Sequence, residues 1–498
     1  MESSIFFKSK VSGQTYLYDF NTCLLTAADP MIETIFNIDK QIEKTVYEKS
    51  YEQKEKQDNK KKENYYRKKY QYLKKYGLFG QLTEKYCFPN FTPNTFEAEM
   101  LNTQQIIFEV TDSCNLNCKY CGYGDLYNNH DRRNTKSIDL NSTKILLDYF
   151  IKGWQEKGIK SNKKNIYISF YGGEPLINMV TIKQIISYIE ANFPSHITPS
   201  YSMTTNGSLL NEHIEFLINK KFQLLISLDG NEYGNSYRRN FNDESSFGKV
   251  YNIAKSIKYN YPTYFNSSIE FNTVLHDRNS VESLLSFFQK EFNKIPSLSA
   301  LNHHGVSPNK KEVFNEMYKS AEDNFKTIEN RIEIEEKYFL KNSQSTTAKT
   351  FSTKYLDNSY YNHVMLLQEK ENSPRYISNG SCIPFSRRIL MTVNNKLLPC
   401  ERIGHNNPFG YIKNNQVIID TKRINEYSKL YNTIKTKCAQ CYLYKNCPTC
   451  MYSEAKDDFK CTYFTDYNEM KETLADYISI FEEHRDYYKR FVDDIQIL

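Results

Sequence analysis

No stretch of this 498-residue sequence approaches the ~20 consecutive apolar residues that a membrane-spanning helix needs, so no transmembrane segment is expected. The opening residues, MESSIFFKSKVSG, lack the basic start, apolar centre and small-residue cleavage site of a secretory signal, and a cytoplasmic location is the expectation. Nor is there a large excess of positive over negative side chains, with 65 Lys and Arg against 59 Asp and Glu. The net charge is +6, which gives no argument for a nucleic-acid partner and only weak help to a binder of acidic peptides. With 39% hydrophobic and 25% charged residues, the chain falls outside the disordered class. Its length suggests about two to four domains.

Residues 1–38 read as short strands and a turn followed by a helix, with Thr15 to Asp19 extended and Met31, Ile35 and Phe36 able to share a helical face. Residues 39–76 are almost entirely Lys, Glu, Gln, Asn and Tyr, and read as a solvated helix or helical hairpin with little core. From Gln105 the texture changes. The strand-like runs QIIFEVT, NIYISFYGG, YSMTTNG, FQLLISLDG, IEFNTVL and SLSALNHHG alternate with helical patterns such as STKILLDYFIKGW, TIKQIISYIEANF and NEHIEFLINKK. Such alternation implies βαβ units and a parallel sheet with covered faces, with too few strands for the usual closed barrel. Polar and glycine-rich clusters follow the strands, at the ends where α/β proteins place ligand sites. The expected divisions are 1–95 as an N-terminal domain, 103–305 as the core, 306–375 as a charged helical bridge, 376–465 as a cysteine-rich domain and 466–498 as a terminal amphipathic helix.

The chain has 12 cysteines. Cys23 and Cys87 are isolated and read as small buried hydrophobes. Three lie at 114–121 and seven between Cys382 and Cys461. Clustered thiols in a long cytoplasmic chain point to metal or catalysis rather than disulfides. A structural zinc site takes four protein ligands, so the upstream triplet would need a partner such as His130. A cubane of four irons held by three thiolates leaves one iron open to a small molecule.

Cys114, Cys118 and Cys121, with Tyr120 before the last, resemble the signature of radical S-adenosylmethionine (SAM) enzymes. Gly172, Gly173 and Glu174, after the second strand, are similar to the family motif whose backbone and carboxylate approach the SAM ammonium. Asn206 after the third strand, and Ser227 and Asp229 after the fourth, are similar to the positions that hold the methionine carboxylate and ribose. Arg238 or Arg239 lies where a related arginine pairs with the SAM carboxylate. This resemblance covers residues 103–305. It implies an α/β fold, a partial (β/α)6 TIM-like barrel, in which the cysteine triplet carries a catalytic [4Fe–4S] cluster and SAM chelates its open iron. Glycines would let the backbone come close, and Glu174 would offset the ammonium charge. Reductive cleavage would release a 5′-deoxyadenosyl radical.

Cys438, Cys441, Cys447 and Cys450 alone could form a zinc ribbon. Together with the triplet, the downstream cysteines resemble the SPASM domain of peptide-modifying radical SAM enzymes, which carries two auxiliary [4Fe–4S] clusters. By that resemblance Cys438, Cys441, Cys447 and Cys461 hold one cluster and Cys382, Cys400 and Cys450 the other, giving three clusters in all. Here two residues separate Cys447 from Cys450 where the family usually has three, which is a departure from its pattern. The N-terminal region looks like a winged-helix-type leader-recognition element, in which a peptide adds a strand to a sheet edge, or a plain cap. The expected partners are a precursor peptide with its leader and a flavodoxin- or ferredoxin-type electron donor, with no nucleic acid and no membrane. The leading expectation is a maturase of ribosomally made peptides that forms a crosslink, thioether or oxidised residue. The alternatives are an anaerobic sulfatase-type maturase forming formylglycine and a zinc-binding adaptor without catalysis. His303 and His304 are candidates for a general base or for polar surface.

Overall fold

In this computed structural model the described residues are 2–22, 24–44, 57–80, 92–156, 164–319, 382, 384–406, 408–443, 447, 450, 461 and 464–483. Alternating apolar side chains shape the N-terminus. β1 (Ser4–Lys8), β2 (Thr15–Asp19) and β3 (Leu24–Ala27) form an antiparallel sheet in that order, followed by α1 (Pro30–Lys44) and α2 (Gln57–Lys75). One face of this sheet, with Phe6, Leu17 and Leu24, packs on Ile32, Ile35 and Phe36 of α1, Tyr70 of α2, and Leu78 and Phe79 beyond it. The lysine- and tyrosine-rich stretch therefore has more core than its composition suggested. Tyr66 and Tyr70 turn inward and donate to Asp29 and Asp39, each at 2.8 Å.

After α3 (Pro93–Leu101) the core follows the expected alternation. Its elements are β4 (Gln105–Thr111), α4 (Leu140–Glu156), β5 (Lys164–Gly172), α5 (Met179–Asn192), β6 (Ile197–Thr205), α6 (Leu210–Asn219), β7 (Gln223–Ser227), α7 (Phe247–Asn260), α8 (Pro262–Ser268), β8 (Ile269–Leu275), α9 (Val281–Phe292) and β9 (Ser297–Ala300). α10 (Lys311–Met317) follows; the rest of the expected helical bridge lies outside the described residues. The chain re-enters with β10 (Arg388–Met391), β11 (Lys396–Leu398), β12 (Gly410–Lys413) and β13 (Gln416–Ile419), then α11 (Thr421–Cys438) and α12 (Tyr467–Glu483).

Strands β4 to β9 are parallel neighbours in sequence order, as the βαβ pattern requires. The sheet does not stop there. β10 pairs in parallel with β4, and β11, β12 and β13 continue it antiparallel, giving ten strands in one sheet. Part of the cysteine-rich region is thus built directly onto the core sheet.

Register explains the two faces. Phe108, Phe170, Met203, Leu224 and Ile269 are aligned neighbours across five strands, buried under the helices. Each such side chain contributes about 1.5–3 kcal/mol by leaving water. One residue earlier the side chains point the other way. There, Gln105 donates to Ser169 at 2.6 Å, Ser169 and Ser202 share a 2.5 Å hydroxyl contact, and Ser299 donates to Asn272 at 3.2 Å. The inner face thus carries hydroxyl and amide groups from β4 to β9, beside apolar Ile107 and Leu390 and the buried Glu109.

The single tryptophan, Trp154 on α4, is 1% exposed and donates its Nε1–H to Leu101 O at 3.0 Å, fixing the approach to β4. The second face of the N-terminal sheet, with Ile5, Phe7, Tyr18 and Phe20, is covered by Met470, Leu474, Ala475, Ile478 and Phe481 of α12. The two chain regions make one layered unit. Among the described residues no helix is long and apolar enough to cross a membrane.

Candidate metal and cofactor centre at the strand ends

The cysteine triplet sits in the loop after β4, at the C-terminal end of the sheet. The loop is a series of tight turns, with Cys121 N donating to Cys118 O at 3.1 Å and Gly124 N to Cys121 O at 2.9 Å. It is tied to the segment after β7 by Asn117 N to Arg239 O at 2.6 Å and Lys119 N to Tyr237 O at 3.1 Å. The three thiols are free and half-buried. Burial pushes Cys114 up to about 11 and Cys118 up to about 12, and the other members of the triplet add to both shifts. Thiols this close and this desolvated ionise only against added positive charge, which is what iron supplies. Donors already face the sulfurs: Leu116 N lies 3.4 Å from Cys114 Sγ and Arg133 Nη2 3.1 Å from Cys121 Sγ. The triplet therefore fits a cluster. Among the described residues no three His, Cys, Asp or Glu side chains are grouped as ligands of one metal ion; a cubane spreads its thiolates over separate irons.

The glycine motif brings two backbone segments into close approach. Gly172 has φ +131°, and a Cβ there would stand 2.1 Å from Thr111 O. A Cβ on Gly173 would stand 2.2 Å from Ser113 O. Both glycines allow the β5 turn to lie against the backbone leading into the cysteine loop, where Gly173 N donates to Thr111 O at 2.9 Å and Glu174 N to Ser113 O at 2.8 Å. The close approach is protein to protein.

Glu174 is wholly buried. Its carboxylate accepts from Leu176 N at 3.1 Å, Thr205 Oγ1 at 2.7 Å and Asn206 N at 2.7 Å. Burial pushes it up to about 7 against those three bonds. Glu174 staples the ends of β5 and β6 with three of the about four acceptor sites of its carboxylate. The residue it fixes, Asn206, reaches the site. Asn206 Nδ2 donates to Asn115 Oδ1 at 2.8 Å and lies 3.9 Å from Cys114 Sγ, while Ser208 donates to Asn206 Oδ1 at 2.6 Å.

Asp229 is likewise 0% exposed. Arg238 donates to it through Nε at 2.9 Å and Nη2 at 3.1 Å, Val274 N donates at 2.9 Å, and Tyr120 OH closes on Oδ2. Burial opposes ionisation, yet the Arg238 charge and these bonds hold the carboxyl at about 2. Asp229 thereby anchors Tyr120, and with it the cysteine loop, to the β7 end. The two arginines have different partners. Arg238 belongs to Asp229, and Arg239 donates to Ser236 O at 2.8 Å and Asp243 O at 2.7 Å. Ser227 is half-buried at the end of β7, in register with Asn272.

The downstream cysteines fall into two neighbourhoods. Burial pushes Cys438 up to about 12, with Cys447, Cys461 and Cys441 adding to it in that order. Cys400 is also pushed up to about 12, by burial, then Glu401, with Cys450 a further contributor, and Arg388 lies in the field of both Cys400 and Cys382. Thr465 N donates to Cys441 Sγ and Arg402 N to Cys400 Sγ, both at 3.3 Å. These thiols fit metal ligands by the same reasoning as the triplet. Cys23 and Cys87 lie outside the described residues.

His130 pairs with Asn129 Oδ1 at 2.8 Å and packs on the His405 ring at 4.8 Å. His303 packs on Tyr318, with ring centroids 4.6 Å apart. Sequence reading passed over several groups here. Arg133, Asn115 and Thr205 carry no local motif. Glu109 sits inside a strand pattern, where it read as one polar position among apolar ones. It is buried on β4, accepts from Tyr123 OH at 2.5 Å and Val393 N at 2.9 Å, and is pushed up to about 7 by burial.

Comparison with known proteins identifies relatives of the core. Residues 108–286 match the model of the radical SAM superfamily. A cysteine-type anaerobic sulfatase-maturating enzyme of Clostridium novyi is 29% identical over 215 residues, 41% of this chain and 53% of that enzyme. The radical SAM cyclopropyl synthase TigE of Paramaledivibacter caminithermalis is 30% identical over 180 residues, 36% of each chain. The chain thus aligns with about half, or less, of these relatives. The structure of native anSMEcpe with bound AdoMet and Cp18Cys peptide superposes with a TM-score of 0.52 at 16% identity, covering 79% of this chain and 99% of that one, a likeness of fold.

Proposed function

We propose that this chain, whose core is a radical SAM domain, is a cytoplasmic maturase that modifies a precursor peptide. The observation that carries the reading is the cysteine triplet at the strand ends above an inner face of hydroxyl and amide groups. Cys114, Cys118 and Cys121 would hold the catalytic [4Fe–4S] cluster. With SAM bound beside it, that cluster would supply reductive radical chemistry able to take hydrogen from the substrate. Asn206, fixed by Glu174 and Asn115, would orient SAM beside Cys114. The backbone of Gly172 and Gly173 and the half-buried Ser227 would complete that pocket. Ser169, Ser202, Asn272 and Ser299 offer donors and acceptors without charge, which suits a peptide main chain. Cys438, Cys441, Cys447 and Cys461 would hold one auxiliary cluster and Cys382, Cys400 and Cys450 another, in a SPASM-type region spanning 376–465. A flavodoxin- or ferredoxin-type protein would deliver the electron.

Residues 1–95 would dock the leader. β3 pairs only with β2 among the described residues, and Thr26 and Ala27 on it are exposed, so its outer edge offers main-chain groups for strand addition.

Formylglycine formation is the second reading, favoured by the sulfatase-maturating relatives. Anaerobic incubation of the reconstituted protein with SAM, reductant and peptide separates the two. A crosslink or thioether in a precursor peptide supports the first. A hydrazide-reactive aldehyde formed from a cysteine in a sulfatase-type peptide supports the second, and no SAM-dependent change in either peptide rejects both.

A further inference from the structure

We infer that Arg133 sets the electron affinity of the cluster held by Cys114, Cys118 and Cys121, an inference that rests on the cluster reading above. Two guanidinium groups flank the triplet. Arg238 stands by Cys118, but its charge is neutralised by the buried carboxylate of Asp229. Arg133 stands by the other two. Its Nη2 donates to Cys121 Sγ at 3.1 Å, and its charge reaches Cys114. Nothing cancels it. The surrounding carboxylates are occupied elsewhere: Asp131 by Lys396 at 2.7 Å and Asn394 at 2.8 Å, Asp112 by the backbone of Asn134 at 2.9 Å and Lys136 at 2.7 Å, and Glu109 by Tyr123 and Val393. Its Nε is buried without a hydrogen-bond partner. The guanidinium lies over the Tyr123 ring, 5.3 Å from the centroid, and Tyr123 is itself tied to Glu109, so the fork is aimed and not free to swing away.

Adding an electron to a thiolate-held cluster adds negative charge next to Cys121. A charge-assisted N–H to sulfur bond stabilises that form more than the oxidised one, and it acts more strongly away from water. Hydrogen bonds to the sulfurs are one of the levers that set cluster potentials. Arg133 therefore makes the cluster easier to reduce, and so acts on the chemistry through Cys121 as a positioning and tuning residue.

The test is a potentiometric titration of the anaerobically reconstituted full chain, following the electron paramagnetic resonance signal that changes on adding SAM. R133Q is expected to lower the reduced-to-oxidised ratio at the wild-type midpoint by about tenfold, a shift of about 59 mV for a one-electron couple, with R133K between the two. R133Q holding the cluster at the wild-type midpoint overturns the inference. If R133Q holds no cluster, R133K decides: a lowered midpoint supports tuning, and an unchanged one overturns it in favour of a role in assembly. A wild-type chain with no SAM-responsive signal rejects the cluster reading itself.

Discussion

Asp229 and Arg238 form a two-point ion pair with both side chains buried, Nε to Oδ2 at 2.9 Å and Nη2 to Oδ1 at 3.1 Å. The same carboxylate receives Tyr120, which precedes the last cysteine of the triplet. A charge pair between the β7 end and the turn after it thus holds the loop that follows β4.

Removing one member leaves the other charge buried and alone, which costs about 3–5 kcal/mol. D229N should destabilise the core by that order, and R238M added to D229N should recover part of the loss. Trp154 reports on this core, so urea unfolding followed by its fluorescence is the measurement. Strictly additive effects of the two substitutions would contradict the pairing.

Glu109 gives a pH signature. Its folded value, about 7, lies above the ordinary glutamate value of about 4.3. A carboxyl raised by folding is most favourable when protonated, so its contribution is lost as pH rises from about 4.3 to about 7 and stays constant above. E109Q should gain on the wild type across that window by up to about 3–4 kcal/mol. Parallel stability-against-pH curves for the two proteins would show that Glu109 is not raised.

The glycines offer a matched pair. A Cβ at Gly173 would meet Ser113 O at 2.2 Å, backbone against backbone, whereas one at Gly248 on α7 has nothing within 4 Å. G173A should shift the cysteine loop and abolish SAM-dependent 5′-deoxyadenosine formation. G248A should leave it intact and stabilise α7 by about 0.5–1 kcal/mol. Equal activity in the two variants would refute the close-approach argument.

Leu474 of α12 is 1% exposed against the N-terminal sheet, in a core separate from that of Trp154. L474A should cost about 2–5 kcal/mol in that unit. Far-ultraviolet circular dichroism should then show an earlier transition while the Trp154 transition stays in place. Deleting residues 1–90 would uncover Leu474, Ile478 and Phe481, so leader docking is better tested by competition with an isolated leader peptide. A leader that fails to slow modification of the whole precursor speaks against docking.

Iron content tests the cysteine partition. Three cubanes correspond to about twelve irons per chain. C438A should remove about four of these while C114A, C118A and C121A remove 5′-deoxyadenosine formation. A wild-type plateau near four irons with bound zinc would defeat the three-cluster proposal.

The alternation of strands and helices from Gln105 onward was legible because periodicity and turn residues are local properties, and β4 to β9 fall where the runs placed them. The cysteine spacing was equally local and marked one loop. Local pattern alone therefore specified the parallel core and put the cysteine triplet in the loop after its first strand. Other facts depend on which distant groups meet. The approach of α12 to β1 and β2 joins segments more than 400 residues apart, as Ser9 Oγ to Ser479 Oγ shows with its separation of 470. The extension of the core sheet by β10, the turning inward of Glu174 and Asp229, and the aim of Arg133 at Cys121 are of the same kind. A carboxylate in a motif reads alike whether it faces a ligand or a neighbouring strand. Only folding decides this, because burial and the nearest donors fix what a charged side chain can touch.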